Sequence, residues 1–155
     1  MPVSTPPPLT ETETTPPAPD KPPLRVAVAD DHSIMRAVYR TLLEDEPRFT
    51  LAWSAATLGE ARQLVETETP DLLIVDVNMP DGDGLAFVLE IMHQMPELKI
   101  LVISAHEELE YPRLAREYGA RGYLTKNSSP ADVITAIELI ENGLYYFKPF
   151  LPADE

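Results

Sequence analysis

The sequence predicts a doubly wound, three-layer α/β domain built on a five-stranded parallel sheet with five helices. Short apolar runs alternate with amphipathic stretches five times from Leu24 onward. Such runs, bounded by turn signals, are what strands buried on both faces look like. Proline or glycine closes most of the helical stretches.

The first strand is Leu24-Arg25-Val26-Ala27-Val28-Ala29, followed directly by Asp30-Asp31. Ile34, Val38 and Leu42 recur at i, i+4 and i+8, which predicts a helix over 32–46 ended by Pro47. Residues 49–54 form the second strand. Thr57-Leu58-Gly59-Glu60 is a capping box that opens a helix through Val65, with Leu58, Ala61, Leu64 and Val65 as its apolar stripe and Pro70 beyond it. The central strand is 71–77. Pro80-Asp81-Gly82-Asp83-Gly84 is a turn-rich loop, and 85–95 is a helix ended by Pro96. Residues 99–104 form the fourth strand. A helix around 109–118 follows, with Pro112 tolerated only in its first turn and Gly119 in the C-terminal capping position. Residues 121–125 form the fifth strand. Ser129-Pro130-Ala131-Asp132 caps a last helix whose buried stripe is Val133, Ile137 and Ile140. With strand order 2-1-3-4-5, the switch point lies between strands one and three.

Residues 1–23 stand apart from this pattern. They hold nine prolines and almost nothing apolar beyond Val3 and Leu9. Such a stretch cannot offset its ordering entropy and is expected to be a disordered arm, more simply a linker than a ligand for an SH3-type domain. The expected domain is therefore 24–147, with 148–155 as a tail or the start of a linker. No cysteine is present, which excludes disulfides and thiolate metal sites. The net charge is −14 with no basic cluster, which argues against nucleic-acid binding by this segment. No apolar run is long enough to span a membrane or serve as a signal, so a cytoplasmic location is expected.

The polar residues at the strand ends carry the chemistry. In an open parallel sheet the carboxyl ends of the strands converge on one crevice. Asp30 and Asp31 follow the first strand, Asp76 the third, Ser104 the fourth and Lys126 the fifth. Three carboxylates at one point repel one another, and a hard, oxygen-preferring cation such as Mg2+ relieves that repulsion. Asp76 is placed to attack phosphorus as a carboxylate nucleophile, with Lys126 and Ser104 to meet charge on the phosphoryl oxygens. Singly, each has a plainer explanation: Asp31 as a cap of the first helix, Asp76 as a turn residue, Ser104 as a strand-end hydroxyl, Lys126 as a surface charge. Their joint placement points to a site. The three histidines read as ordinary, His32 beginning a helix and His93 lying within one, since no His/His or His/Glu spacing suggests a transition-metal site. Trp53 reads as core.

At these residues the chain resembles the receiver domain of two-component response regulators over 24–147. Asp30-Asp31-His32, Asp76-Val77-Asn78-Met79-Pro80, Ser104-Ala105-His106 and Gly119-Ala120-Arg121-Gly122-Tyr123-Leu124-Thr125-Lys126 are similar to the NarL/FixJ-type subfamily. The resemblance implies a flavodoxin-like (CheY-like) fold. It implies Asp76 as phosphoacceptor and Mg2+ held by Asp30, Asp31, Asp76 and the backbone carbonyl of Asn78. Ser104 and Tyr123 would be the switch pair, Lys126 the phosphate contact, and Asn78 and His106 the residues that tune phosphoryl lifetime. The implied partners are a sensor histidine kinase or phosphotransfer protein and a second copy in a homodimer. No catalysis is implied beyond the domain's own phosphorylation and dephosphorylation, read out through the surface of the fourth helix, fifth strand and fifth helix.

Departures accompany the likeness. Lys126 is followed by Asn127, where many receivers have a cis proline, and Pro112 falls in the fourth helix. Members of this subfamily normally carry a helix-turn-helix DNA-binding domain after the receiver, which 148–155 is too short to supply. The expectation is thus either a transcription regulator whose output domain is absent from this chain or a stand-alone receiver. Three other classes fit the residues less well. A phosphatase of the haloacid-dehalogenase kind needs a second Asp where Asn78 stands. A flavodoxin-like cofactor module needs a phosphate loop where Asp30-Asp31-His32 stands. A degenerate, phosphate-independent receiver would have lost part of the motif set.

Overall fold

In the computed structural model, which describes residues 22–148, all five expected strands and all five expected helices form. The expectations for 1–21 and 149–155 lie outside the described residues. The strands are β1 (Leu24–Ala29), β2 (Phe49–Ala55), β3 (Leu72–Val75), β4 (Lys99–Ser104), β5 (Gly122–Thr125) and β6 (Tyr146–Phe147). The helices are α1 (Ser33–Glu44), α2 (Leu58–Thr67), α3 (Gly84–Gln94), α4 (Glu110–Glu117) and α5 (Pro130–Glu141). The main sheet is parallel with order β2-β1-β3-β4-β5-β6, so the expected order holds and one short strand is added at the edge. Two residues are too few for a hydrophobic pattern to announce. Tyr146 and Phe147 pair with Gly122 and Tyr123, and a side chain at Gly122 would stand 2.7 Å from the Tyr146 carbonyl.

Period-two alternation divides the core between the two faces of the sheet. Val26, Val28, Leu72, Ile74, Leu101, Ile103 and Leu124 pack with Tyr39 and Leu43 of α1 and Val133, Ile137 and Ile140 of α5. Ala27, Ala29, Leu73, Val75, Ile100, Val102 and Tyr123 pack with α2, α3 and α4 on the other face. The stripe expected on α5 is the one buried.

Helix α1 differs in its face. The recurrence that reveals it, Ile34 and Val38, is 75% and 44% exposed, while Tyr39 and Leu43 are buried. Tyr39 and Leu43 share the other apolar row one residue on, and the larger aromatic ring wins the contact with the sheet. Asp31 does not cap this helix: His32 is the capping residue and makes no side-chain capping bond. Asp30 instead accepts the His32 N–H at 2.9 Å.

The central strand is shorter than expected, ending at Val75 rather than Val77. Asp76 N–H still bonds the Ala29 carbonyl at 2.9 Å, and the chain then turns away into a small antiparallel hairpin of Asn78–Met79 with Gly82–Asp83. Pro112 is buried within the first turn of α4, where its missing N–H has no intrahelical partner to lose, and Gly119 follows the helix with φ +112°.

Candidate functional site

Register decides which side chains meet. Ala29 lies opposite Val75 and Val75 opposite Val102, so Asp30 and Asp76 leave the sheet side by side. Ser104 lies opposite Thr125, which puts Lys126 one residue above it, and Lys126 N–H bonds the Ser104 carbonyl at 2.8 Å. Asp30, Asp76 and Ser104 are almost wholly buried, at 1%, 3% and 0% exposure, and they are the buried polar residues among those described. Their position at strand ends, rather than inside the layers, lets them face the crevice.

Lys126 joins the acids. Its Nζ lies 3.0 Å from Asp76 Oδ2 and 3.1 Å from Asp30 Oδ2. Asp31, adjacent and half-exposed, lies with its Oδ1 3.3 Å from His32 Nδ1. Burial, more than any other cause, raises the Asp76 pKa; Asp30 adds to the rise, and Lys126 and the Asn78 N–H oppose it. The Asn78 N–H reaches Asp76 Oδ1 at 3.4 Å, and its side-chain Nδ2 lies 3.1 Å from His106 Nε2. Asn78 and His106 therefore form one bridge at the mouth of the crevice. The His106 ring stacks on Tyr111 with centroids 4.1 Å apart.

Ser104 Oγ accepts the His106 N–H at 3.2 Å, and the Tyr123 hydroxyl donates to the His106 carbonyl at 2.6 Å. Tyr123 is fully buried, and burial pushes its hydroxyl pKa up to about 12. The backbone of His106 thus couples the strand-end hydroxyl to the aromatic ring of β5.

Gly84 fixes Asp76 from below. A Cβ there would stand 2.0 Å from the Asp76 carbonyl oxygen, and Gly84 N–H bonds the Val77 carbonyl at 2.7 Å. Only glycine lets α3 begin this close to the strand end. Asp81 anchors the same loop sideways, its carboxylate accepting the Leu58 and Gly59 N–H groups, each at 2.9 Å, at the N-terminus of α2.

The structure brings Asp30, Asp31, Asp76, Asn78 and Lys126 together, while Ser104 and Tyr123 join them through His106. It also adds His32, which spacing alone marks as ordinary. His32 Nδ1 lies 2.9 Å from Asp30 Oδ1 and 2.9 Å from Lys126 Nζ. The signal was its place directly after the acidic pair, which carries it to the same strand-end crevice; ligand-spacing rules for transition metals look along one helix and miss it.

The donor set fits a hard divalent cation. One ligand atom from each of Asp30, Asp31, His32 and Asp76 lies within 4.8 Å of all the others. Asp30 Oδ2 is buried, and the charge it meets is the Lys126 ammonium at 3.1 Å.

Comparison with known proteins agrees with the geometry. The family described as response regulator receiver domain matches residues 26–138. The oxygen regulatory protein NreC of Staphylococcus haemolyticus is 32% identical over 124 residues, covering 79% of this chain and 57% of that protein. The chain spans about half the length of the curated relatives it matches. Among solved structures, a LuxR-family two-component response regulator from Aurantimonas is 35% identical with a TM-score of 0.78, covering 82% of this chain and 91% of that one. The signal receiver domain of the NarL response regulator from Mycobacterium tuberculosis is 27% identical with a TM-score of 0.74, covering 79% and 98%.

Proposed function

This chain belongs to the response regulator receiver domain family, of the NarL/FixJ type, and we propose that it is the phosphoacceptor switch of a two-component relay. The observation that carries the proposal is the strand-end crevice in which Lys126 stands 3.0 Å from the buried Asp76 carboxylate.

Asp76 attacks the phosphorus of a phosphohistidine on a sensor kinase or phosphotransfer protein. The new O–P bond forms as the N–P bond breaks, and the electron pair returns to the donor imidazole. Lys126 meets the incoming phosphoryl oxygens, and its hydrogen bond to Asp76 opposes the effect of burial on the nucleophile. Mg2+, held by Asp30, Asp31, Asp76 and the backbone carbonyl of Asn78, supplies charge neutralisation of the phosphoryl oxygens when bound. Ser104 turns toward the phosphoryl group, which draws on its contact with the His106 N–H; Tyr123, bonded to the carbonyl of that residue, carries the change to α4, β5 and α5. Asn78 and His106 lie 3.1 Å apart beside Asp76, and these two side chains set the phosphoryl lifetime.

The output is a change in association, either with a second copy or with a DNA-binding output domain. Among the described residues no helix is long and apolar enough to cross a membrane. Intact-mass analysis after incubation with Mg2+ and acetyl phosphate tests the chemistry. One labile phosphoryl group is expected, dependent on Mg2+ and absent in Asp76→Asn. No modification under conditions that phosphorylate a control receiver would overturn the phosphoacceptor role in favour of a phosphate-independent receiver.

A further inference from the structure

We propose that the edge strand β6, with the residues on either side of it, is a strap across the output face that phosphorylation of Asp76 releases. The inference rests on the switch reading above and adds an element which that reading does not contain. Residues 144–148 lie beyond 26–138, the span matched by the receiver family.

The strap reaches each of the three elements through which the switch is read. Tyr146 N–H bonds the Arg121 carbonyl at 3.0 Å and Lys148 N–H bonds the Tyr123 carbonyl at 2.8 Å, which fixes the strap to β5. Leu144 N–H bonds the Leu139 carbonyl at 2.9 Å, and the Lys148 ammonium stands 3.5 Å from Asp132, both on α5. The Arg116 guanidinium of α4 lies over the Phe147 ring, 5.9 Å from its centre. The close approach is written into the sequence at Gly122, where a Cβ would stand 2.7 Å from the Tyr146 carbonyl oxygen and 2.8 Å from Ile140 Cδ1.

Tyr123 ties the strap to the pocket. It lies opposite Phe147 in the parallel pair, so both rings point to the same face of the sheet, and both are buried in the same core cluster. Tyr123 is held at two ends: its hydroxyl donates to the His106 carbonyl at 2.6 Å, and its own carbonyl accepts from Lys148. When the His106 backbone shifts with Ser104, the ring follows its hydroxyl and changes the wall against which Phe147 is buried. Little else holds the strap. Among the described residues β6 is the last strand of the sheet, and the preceding Leu144 and Tyr145 are 53% and 59% exposed. A two-residue edge strand belongs to the low-stability end of a fold, so a shift too small to disturb the sheet is enough to open it.

Hydrogen exchange of the full chain, followed residue by residue by NMR, tests this. The chain is saturated with Mg2+ throughout, and acetyl phosphate is added to one sample, whose intact mass gives the phosphorylated fraction. Expected is exchange at the Tyr146 and Lys148 amides about tenfold faster in the phosphorylated chain, with Ile137 and Ile140 of α5 unchanged. Phe147→Ala, which removes the buried anchor of the strap, should bring both amides to the fast rate whether or not Asp76 is phosphorylated. A phosphorylated chain whose Tyr146 and Lys148 amides keep their rates or slow overturns the strap and leaves the switch reading standing. Fast exchange at both amides before acetyl phosphate is added, or protection kept in Phe147→Ala, does the same. A parent chain whose mass shows no phosphoryl group overturns the switch reading, and the release of the strap with it.

Discussion

Asp76 is held by its surroundings in a state unfavourable to its charge. Burial raises its pKa first, and the neighbouring Asp30 adds to the rise. A carboxyl raised on folding favours the fold when protonated; that stabilisation is complete below the ordinary carboxylate range and is lost as pH climbs through the raised value. Ionising Asp76 in the fold therefore costs stability, which the isosteric, neutral Asp76→Asn removes. The expected result is a melting temperature higher by roughly 2–4 °C at pH 7, measured without divalent cation, and a smaller difference at pH 4. Equal or lower stability at pH 7 would mean that the Lys126 contact outweighs burial and the Asp30 charge. At this scale the sequence was legible wherever a residue sat directly at a strand end. His32 sits one step further on, and only the turn that bonds its N–H to Asp30 brings it back into the crevice.

The elements were legible where a local signal set their limits. The capping box at Ser129 and Asp132 forms as read, with Pro130 in the first turn of α5. The buried face of α1 was not, because two apolar rows one residue apart compete and only packing on the sheet chooses between them. Nor was the link between the loop after Asp76 and α2, since Asp81 and Leu58 lie 23 residues apart in sequence. That link has a pH signature. The N–H groups of Leu58 and Gly59 hold the Asp81 carboxylate below its ordinary pKa. A carboxyl lowered on folding adds stability above its unfolded pKa and loses it as pH falls through the folded value. Urea unfolding at pH 7 and at pH 3 should therefore show Asp81→Ala losing stability relative to the parent chain at pH 7 and losing less of it at pH 3, below about 4 where the unfolded carboxyl titrates. A difference that does not shrink with acid would assign the effect to the loop backbone rather than to the charge.

At the scale of the whole molecule, two cores share one sheet, and the carboxyl ends of β1, β3, β4 and β5 place the acids where neither core covers them. The topology that sets this crevice could be read from the order of the runs, because a parallel sheet of this kind has few ways to connect them. Its energetic consequence reaches through the entire domain. The donors come from β1, the start of α1 and the end of β3, so the unfolded chain has no such site, and a cation bound to the fold stabilises it by mass action. At free cation about ten times the dissociation constant this amounts to about 1.4 kcal/mol, or about tenfold in the unfolding equilibrium. Amides of Val28 and Ile74, deep in the sheet, exchange with solvent only through global opening and should slow by about that factor. The slowing should be absent in Asp30→Ala, compared with and without cation. Local protection around 76–84 alone, with the sheet amides unchanged at saturation, would mean that the ion is held as well by the open chain as by the fold, and that the carboxylates gain their affinity from sequence proximity instead of from the meeting of strand ends.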